Sequence, residues 1–595
     1  MKRKSGFRFD KVDWLVAGAF VALSALLYFT TVASFAYPGE SAHLQALWRG
    51  LDTAKVSPYP LMAFFAKLFG AGNMLAPVCG VISTVALCLL TTFFVRSRIN
   101  GEFMERFALP ASRFAGAVAA AMFMLTPSVR YAATHLEPRM FASAWALVAL
   151  TLTIPWSNAS GLVARLFALV FGVMWGLGAA DSPLFIVLLP LALVAAAVIP
   201  LNRGAKPYSE LALVLFGSVV AFFVMATAGT GDLAETLKTL WAHFKGYTRV
   251  DGWMMVLFFS TVPFVVSLFS SKKAYNEESG WVQWTFHISM GVASILAIAT
   301  PLAPHSVLEP AGVLPVATSV FAAFVAGYLA AYWLLVMRSS VRINESKDAA
   351  PVALKGRYVA YIAGGVLAVA YVFTAFFNLF FFDTTRGAFA DRLAAKALDD
   401  LGDRAWFVTD GVLDDHLRLK AADAGRELNI VSLSRDLDND YLDALSRLVK
   451  DKNLGGEKNA ELSLSLSLGV LPFVQDWFSN DPEAPHNVVI FGAPDLWYSS
   501  GVTPVPEFIF FGADPSRKAD WREWHSTYAE ILSAPDGWGS YRIRNVKNPV
   551  DRMRLELRRH LGFVANNLGV WLQDQGRDDE AFEMYDLVLA KVSLA

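Results

Sequence analysis

Three carboxylates stand beside long apolar runs: Glu40 in Pro38-Gly39-Glu40-Ser41, Glu137 in Glu137-Pro138-Arg139, and Asp181 in Asp181-Ser182-Pro183. Charge next to lipid is costly, so an ionisable residue there marks a site unless it has a structural task. A carboxylate in that position can accept the proton of a hydroxyl as the hydroxyl attacks, and desolvation strengthens it as a base. Arg130, Arg139, Lys245 and Arg249 lie in the adjoining polar segments. They offer cationic donors for an anionic leaving group, the arginines best because of their forked geometry. His43, His135 and His305 are weaker candidates. The plain alternatives are physical too. An acid at a helix N-terminus caps free N–H groups and complements the dipole, and an interfacial Lys or Arg snorkels to headgroups. Proline follows Glu137 directly and Asp181 by two positions, which favours capping there; Glu40 sits in a polar loop of its own. No His, Cys or carboxylate run has metal-ligand spacing, so neither a metal nor another cofactor is required. Cys79 and Cys88 share one apolar stretch. On one helix they stand too far apart to form a disulfide with each other.

The elements that must position these residues are mostly membrane helices. Of the 595 residues, 55% are hydrophobic and only 17% charged, against about 25% charged in an ordinary soluble protein. The deficit falls in residues 12–381, where bilayer-length apolar stretches recur at 12–36, 74–95, 108–126, 139–155, 162–180, 183–200, 210–228, 253–270, 281–300, 313–337 and 357–381. The expected architecture is an α-helical polytopic bundle of about eleven transmembrane helices over 1–381. The run from Val12 to Ala36 is too long for a signal-peptide core and reads as a retained span. Arg96, Arg98, Arg106, Arg203, Lys206, Lys272, Lys273, Arg338 and Arg342 then fall on the side of the N-terminal Lys-Arg-Lys, a positive-inside pattern. Residues 59–70 read as an interfacial or re-entrant piece. In 37–58, Leu44, Leu47 and Leu51 make a short amphipathic helix expected on the outer membrane surface. A net charge of −1 argues against a nucleic-acid partner.

Residues 382–550 read as an extracytoplasmic α/β domain. A strand at 405–410, a helix at 412–424 and a strand at 428–433 give a β-α-β rhythm, with further strands at 487–492 and 507–511. The Leu-Ser alternation of 459–470 reads as a loop or edge strand. Residues 551–595 read as two helices around Gly576-Arg577, with Leu568, Gly569, Leu572, Gly576, Ala581 and Tyr585 at tetratricopeptide spacing. Such a tail offers a surface for a protein partner.

The first outer loop, with its carboxylate directly after the first span, resembles that of the GT-C glycosyltransferases, and more narrowly the DUF2723 family of protein O-mannosyltransferase-like membrane proteins. Pro38-Gly39-Glu40-Ser41 through Tyr59-Pro60-Leu61 is similar to that family's opening segment, although Glu40 stands for its usual Asp and His43 for its second acid. Glu137-Pro138-Arg139 stands where the family has Glu-Val-Tyr, and Asp181-Ser182 where many members have Asn-His. Trp406 to Gly411 and Asn429 to Leu433 resemble its soluble strands. The resemblance implies transfer of a sugar such as mannose, with inversion, from a polyprenyl-phosphate donor to a hydroxyl of a protein Ser/Thr or glycan, at the outer face of a bacterial inner membrane. It implies Glu40 and Glu137 as the catalytic carboxylates. Arg139, Arg130, Arg249, Lys245, His43 and Asp181 would surround the substrate and its phosphate. The rival reading is a non-catalytic membrane scaffold that uses its outer domain and helical tail for partners. A transporter is disfavoured, because few charges lie inside the spans and no internal repeat is visible.

This topology predicts that a reporter fused after Asp383 is active only outside the cytoplasm. Activity of a cytoplasm-only reporter at that position would overturn the orientation.

Overall fold

The computed structural model describes residues 7–53, 58–98, 102–230, 233–234, 236–238, 240–241, 316–343, 387–436, 438–454, 456–492, 497–498, 502–507, 509–517 and 549–591. The chain divides into two compact units. One comprises Met1–Val32, Val56–Thr384 and Gly539–Val546; the other comprises Ala33–Lys55, Thr385–Trp538 and Lys547–Ala595.

The first unit is helical. Among the described residues six helices are long and apolar enough to cross a membrane: Lys11–Thr31, Leu75–Ser97, Ala108–Leu125, Pro138–Asn158, Gly161–Asp181 and Tyr208–Ala228. In lipid a helix satisfies its own backbone groups, so runs of this length have no cheaper conformation. The expected span 12–36 is shorter than the sequence suggests. Asp10 caps its start in a reciprocal capping box with Asp13, and it ends at Thr31. The expected span 183–200 is a broken pair, Leu184–Val187 and Leu189–Asn202. The run at 313–337 lies in a helix from Val316 to Ile343. The expected spans 253–270, 281–300 and 357–381 lie outside the described residues, as do Lys245, Arg249 and His305.

Successive helices alternate in direction, which sorts their ends into two sets. At the N-terminal end, Phe7 and Asn158 exchange backbone and side-chain hydrogen bonds. There Asp13, with its side chain 1% exposed, accepts from Arg96 at 2.7 Å and Arg113 at 3.0 Å. Glu210 accepts from Arg203 at 2.5 Å and from the Trp156 indole at 2.7 Å. The apolar body is filled by rings: Trp156, Phe171, Trp175 and Phe185 pack in sequence with centroids 5.2 to 5.6 Å apart, near the favoured range for aromatic pairs.

Among the described residues, the helix Gly161–Asp181 approaches Tyr208–Thr230 backbone to backbone. Gly172 and Gly176 form a small-xxx-small face, the pattern that lets membrane helices approach backbone to backbone. A Cβ on Gly172 would lie 2.3 Å from the Val214 carbonyl oxygen, and one on Gly176 would lie 2.1 Å from that of Ser218. The Ser218 hydroxyl donates to the Gly172 carbonyl at 3.0 Å. Neither helix could tolerate a methyl at the seam without moving apart.

The second unit is α/β. Its five-stranded sheet runs β2-β1-β3-β5-β4, with β1 Trp406–Thr409, β2 Asn429–Ser432, β3 Val488–Phe491, β4 Val505–Pro506 and β5 Phe511–Gly512. β1 pairs in parallel with both β2 and β3, while β5 is antiparallel to β3 and to β4. The helix Asp414–Asp423 carries the chain from β1 to β2. β1, β2 and β3 are buried along their whole length, which is why their sequences read as apolar runs rather than alternation. A buried, bidentate pair from Arg404 to Glu507, at 2.8 and 2.6 Å, ties the entry of β1 to the segment after β4.

Two expectations are corrected in this unit. Residues Asn459–Ser467 form a helix, not a loop or strand. The Leu-Ser alternation hides an i, i+4 pair, for Leu462 and Leu466 are buried whereas Leu464 and Leu468 are exposed. The hydroxyls of Ser463 and Ser465 bond back to the carbonyls four residues earlier. The second correction concerns the helix of the 37–58 loop. Glu40–Trp48 is helical, but its apolar face packs on protein: Ala42 and Ala46 join Ala36 and Leu419 in one core cluster, with Leu51 against it. At the C-terminal end, Pro549–Asp574 and Asp578–Lys591 form a hairpin. Gly569 fits under the Tyr585 ring, where a Cβ would meet the ring at 2.6 Å.

The Gly172–Gly176 seam gives a stability prediction. Gly176→Ala must force the two backbones apart, an overpacking cost of about 1–3 kcal/mol. Gly18→Ala, on an exposed stretch with nothing within 4 Å of the new methyl, should be neutral or slightly stabilising. Thermal unfolding of the two variants in the same detergent checks this; equal melting temperatures would mean that the seam yields freely.

Candidate functional site

The candidate residues fall in both units, and each group is built differently. In the first unit, Arg130, His135, Glu137, Arg139 and Asp181 lie at the end of the helices opposite Asp13. The short helix Pro127–Ala132 and the turn after it lead into Pro138, the first residue of a span. Asn73 fixes that turn by accepting from the Leu136 N–H at 3.0 Å.

Glu137 is the N-cap residue of that span, but its side chain does not cap it. It turns instead to Arg139, at 3.1 Å, and to His135, at 3.6 Å. Burial alone would push the Glu137 carboxyl up, but the Arg139 guanidinium and the His135 imidazole outweigh it and hold the group below its ordinary value. His135 is positioned by Thr134, whose hydroxyl lies 3.2 Å from Nδ1, and by the edge of Tyr131 at 4.5 Å. Arg139 keeps 28% of its side chain exposed, whereas Arg130 is buried. The result is a carboxylate–guanidinium–imidazole cluster at a helix end, with the guanidinium as its outermost charged group.

Asp181 has a structural task between two helices. It ends the helix Gly161–Asp181, and its Oδ1 accepts from the backbone N–H groups of Leu61 at 2.8 Å and Met62 at 3.2 Å. Those are free donors in the first turn of the helix Pro60–Leu68. A carboxylate there complements the dipole and fills the position that an anion would take, so Asp181 acts as a cap for a second helix. The sequence showed the carboxylate and the Pro60 start separately; only folding joins them.

In the second unit, Gly39 adopts φ +90°, a left-handed conformation that glycine enters at no steric cost. The turn sets Glu40 at the first position of its helix. Glu40 is exposed there, while Ser41, Ala42, Leu44, Gln45, Ala46 and Trp48 are buried. His43 lies between two carboxylates, 3.6 Å from Asp52 Oδ2 and 3.4 Å from Asp415 Oδ2. The Asp415 carboxylate raises the His43 imidazole above its ordinary value against the opposing effect of burial. Asp415, Arg418 and Arg435 gave no sign in the sequence, because they stand far along the chain from His43, and Asp52, nine residues after it, has no spacing that marks a pair.

A further cleft of about 580 Å³ opens at the carboxyl ends of β1 and β3, lined in part by Asp410, Gly411, Gly492, Arg559, His560 and Phe563. The connection from β1 leaves toward β2 on one side while β3 lies on the other, the switch point at which open α/β sheets form crevices. His560 donates from Nε2 to the Ile509 carbonyl at 2.7 Å, and burial lowers its imidazole to about 4, so it stays neutral.

No protein-family model matches the chain, and no curated protein matches it. Among solved structures, the crystal structure of ArnT from Cupriavidus metallidurans bound to undecaprenyl phosphate is similar over 74% of this chain and 91% of its own, at 13% identity and a TM-score of 0.35. A likeness that weak carries no functional weight.

Proposed function

We propose that the chain is a membrane glycosyltransferase that moves a sugar from a polyprenyl-phosphate donor to a hydroxyl acceptor. The observation that carries this reading is the presentation of Glu40. Its helix is packed into the second unit on nearly every other side, and the carboxylate stands exposed at the first turn. It follows the first membrane helix by nine positions.

The chemistry asks little of the protein. A polyprenyl phosphate is a competent leaving group, so no strong acid is needed. Glu40 accepts the proton of the acceptor hydroxyl as its oxygen bonds to the anomeric carbon. The bond from that carbon to the phosphate oxygen breaks on the opposite face, and the configuration inverts. Negative charge gathers on the departing phosphate, where a fixed cation in a water-poor site is worth most. Within the first unit, taken by itself, Arg139 has the presentation that a phosphate ligand needs, because Glu137 and His135 hold it in place and part of its fork remains open. Glu137, kept ionised by its partners, serves as a positioning residue for Arg139. Loss of lipid-linked sugar consumption and of the glycosylated product, measured by mass spectrometry in cells without the gene, would support the reading. An unchanged glycan profile would favour the scaffold.

Two substitutions separate the roles. Glu40→Gln is nearly isosteric but cannot take a proton, so transfer should fall by about 10²-fold or more with expression unchanged. Near-wild-type transfer would leave Glu40 only its place in the helix. Arg139→Lys keeps the charge but loses the fork; transfer should fall measurably with Lys and further with Ala, while insertion is unchanged. A headgroup anchor would tolerate Lys, and wild-type transfer by both variants would remove Arg139 from the mechanism.

A further inference from the structure

The group around His43 has a geometry that the proposed transfer does not use. His43 Nδ1, Asp52 Oδ2 and Asp415 Oδ2 all lie within 4.8 Å of one another, and the two distances from the imidazole are 3.6 and 3.4 Å. Both are long for a hydrogen bond, with Asp415 the nearer partner of the imidazole. They match the separation of about 3–3.5 Å expected between ligand atoms that share one small ion at roughly 2.0–2.2 Å.

Each carboxylate is oriented from behind. Asp52 Oδ1 accepts from Arg435, and Arg435 is itself held by Asp438 at 2.7 Å. Asp415 Oδ1 accepts from Arg418 at 3.2 Å, with Asp414 at 4.0 Å from the same guanidinium. In both cases the arginine takes one oxygen and leaves the other facing His43. Supporting hydrogen bonds that fix the orientation of ligands are the ordinary outer shell of a metal site.

A second, independent observation singles out the centre. The Asp52 side chain is 0% exposed, yet its Oδ2 has no hydrogen-bond partner among the described residues. A buried carboxylate oxygen left bare is expensive, and such an atom calls for an ion or a water. His43, by contrast, keeps 43% of its side chain exposed, which leaves an entry path and room for water ligands.

We infer that His43, Asp52 and Asp415 form a divalent metal site in the second unit. One imidazole with two carboxylates suits Mn²⁺ or Zn²⁺ better than Mg²⁺ or Ca²⁺, which prefer all-oxygen shells. The site does not depend on the glycosyltransferase reading, and its test reads metal rather than transfer.

The full chain in detergent is stripped with a chelator and titrated with Mn²⁺ alone and with Zn²⁺ alone. One tight ion per chain is expected. His43→Ala and Asp415→Asn should each weaken binding at least about tenfold while the melting profile of the metal-free protein is kept. Pulsed EPR of the Mn²⁺ form should show nitrogen coupling that disappears in His43→Gln, a signature that a purely structural role would not produce. No stoichiometric uptake by folded wild-type protein would mean that His43 only bridges the two acids as a cation, and would overturn the site. Uptake that is unchanged in both substituted forms, or Mn²⁺ without nitrogen coupling in the wild type, would overturn it equally.

Discussion

The centre of an apolar helix bundle cannot hold an unpaired charge, and the arrangement of the first unit follows from that exclusion. Within the six membrane-length helices, no Asp, Glu, Lys or Arg stands deeper than the sixth residue from an end. The charges that do enter are matched. Asp13 takes two arginines, Glu210 takes Arg203 and an indole, Glu137 takes Arg139, and Asp181 takes two backbone amides. Breaking one of these would leave a buried charge uncompensated, which costs more than the pair contributes when it is whole.

With polar contacts confined to the helix ends, the middle must be specified by shape. There the hydrophobic effect does not distinguish one lipid-like surface from another, and close packing takes over. The Gly172–Gly176 face against Val214 and Ser218 is such a contact, and the ring stack from Trp156 to Phe185 occupies the neighbouring space. Together they fix two helices in register, so Asp181, at the end of one of them, is delivered to the first turn of Pro60–Leu68. A helix seam thus determines where a carboxylate is spent.

What the sequence reveals of this is uneven, for physical reasons. Membrane-length runs and the β-α-β rhythm are local patterns of one period; six of the described runs form membrane-length helices and β1, β2 and β3 appear where the residues place them, whereas the first span ends early and 183–200 is broken. The Leu-Ser stretch fails as a local pattern because a period of two contains every second member of a period of four, and burial of Leu462 and Leu466 decides the matter only in the folded chain. The apolar stripe of Glu40–Trp48 is legible, but what covers it is not: Leu419 lies far along the chain. The same distance hides Asp415 from His43, and Asp52, nine residues on, is brought to it only by the turn after Trp48. Hydrogen-bond and ion-pair partners joined by tertiary contact leave no spacing to read.

The two candidate carboxylates show how environment, not residue type, divides the labour. Glu137 and Glu40 carry the same group, and each stands at the start of a helix. Glu137 is enclosed, with a guanidinium and an imidazole against it, so its charge is already committed and its oxygens have fixed partners. A group so stabilised in its ionised form gains little by taking a proton, and what its contacts do is fix the direction of Arg139. Glu40 is exposed at the start of a helix in which Ser41, Ala42, Leu44, Gln45, Ala46 and Trp48 are buried, so solvent reaches it while the backbone beneath is held by packing. A general base needs access and a fixed origin together. A positioning residue needs enclosure. The fold supplies one of these conditions at each carboxylate.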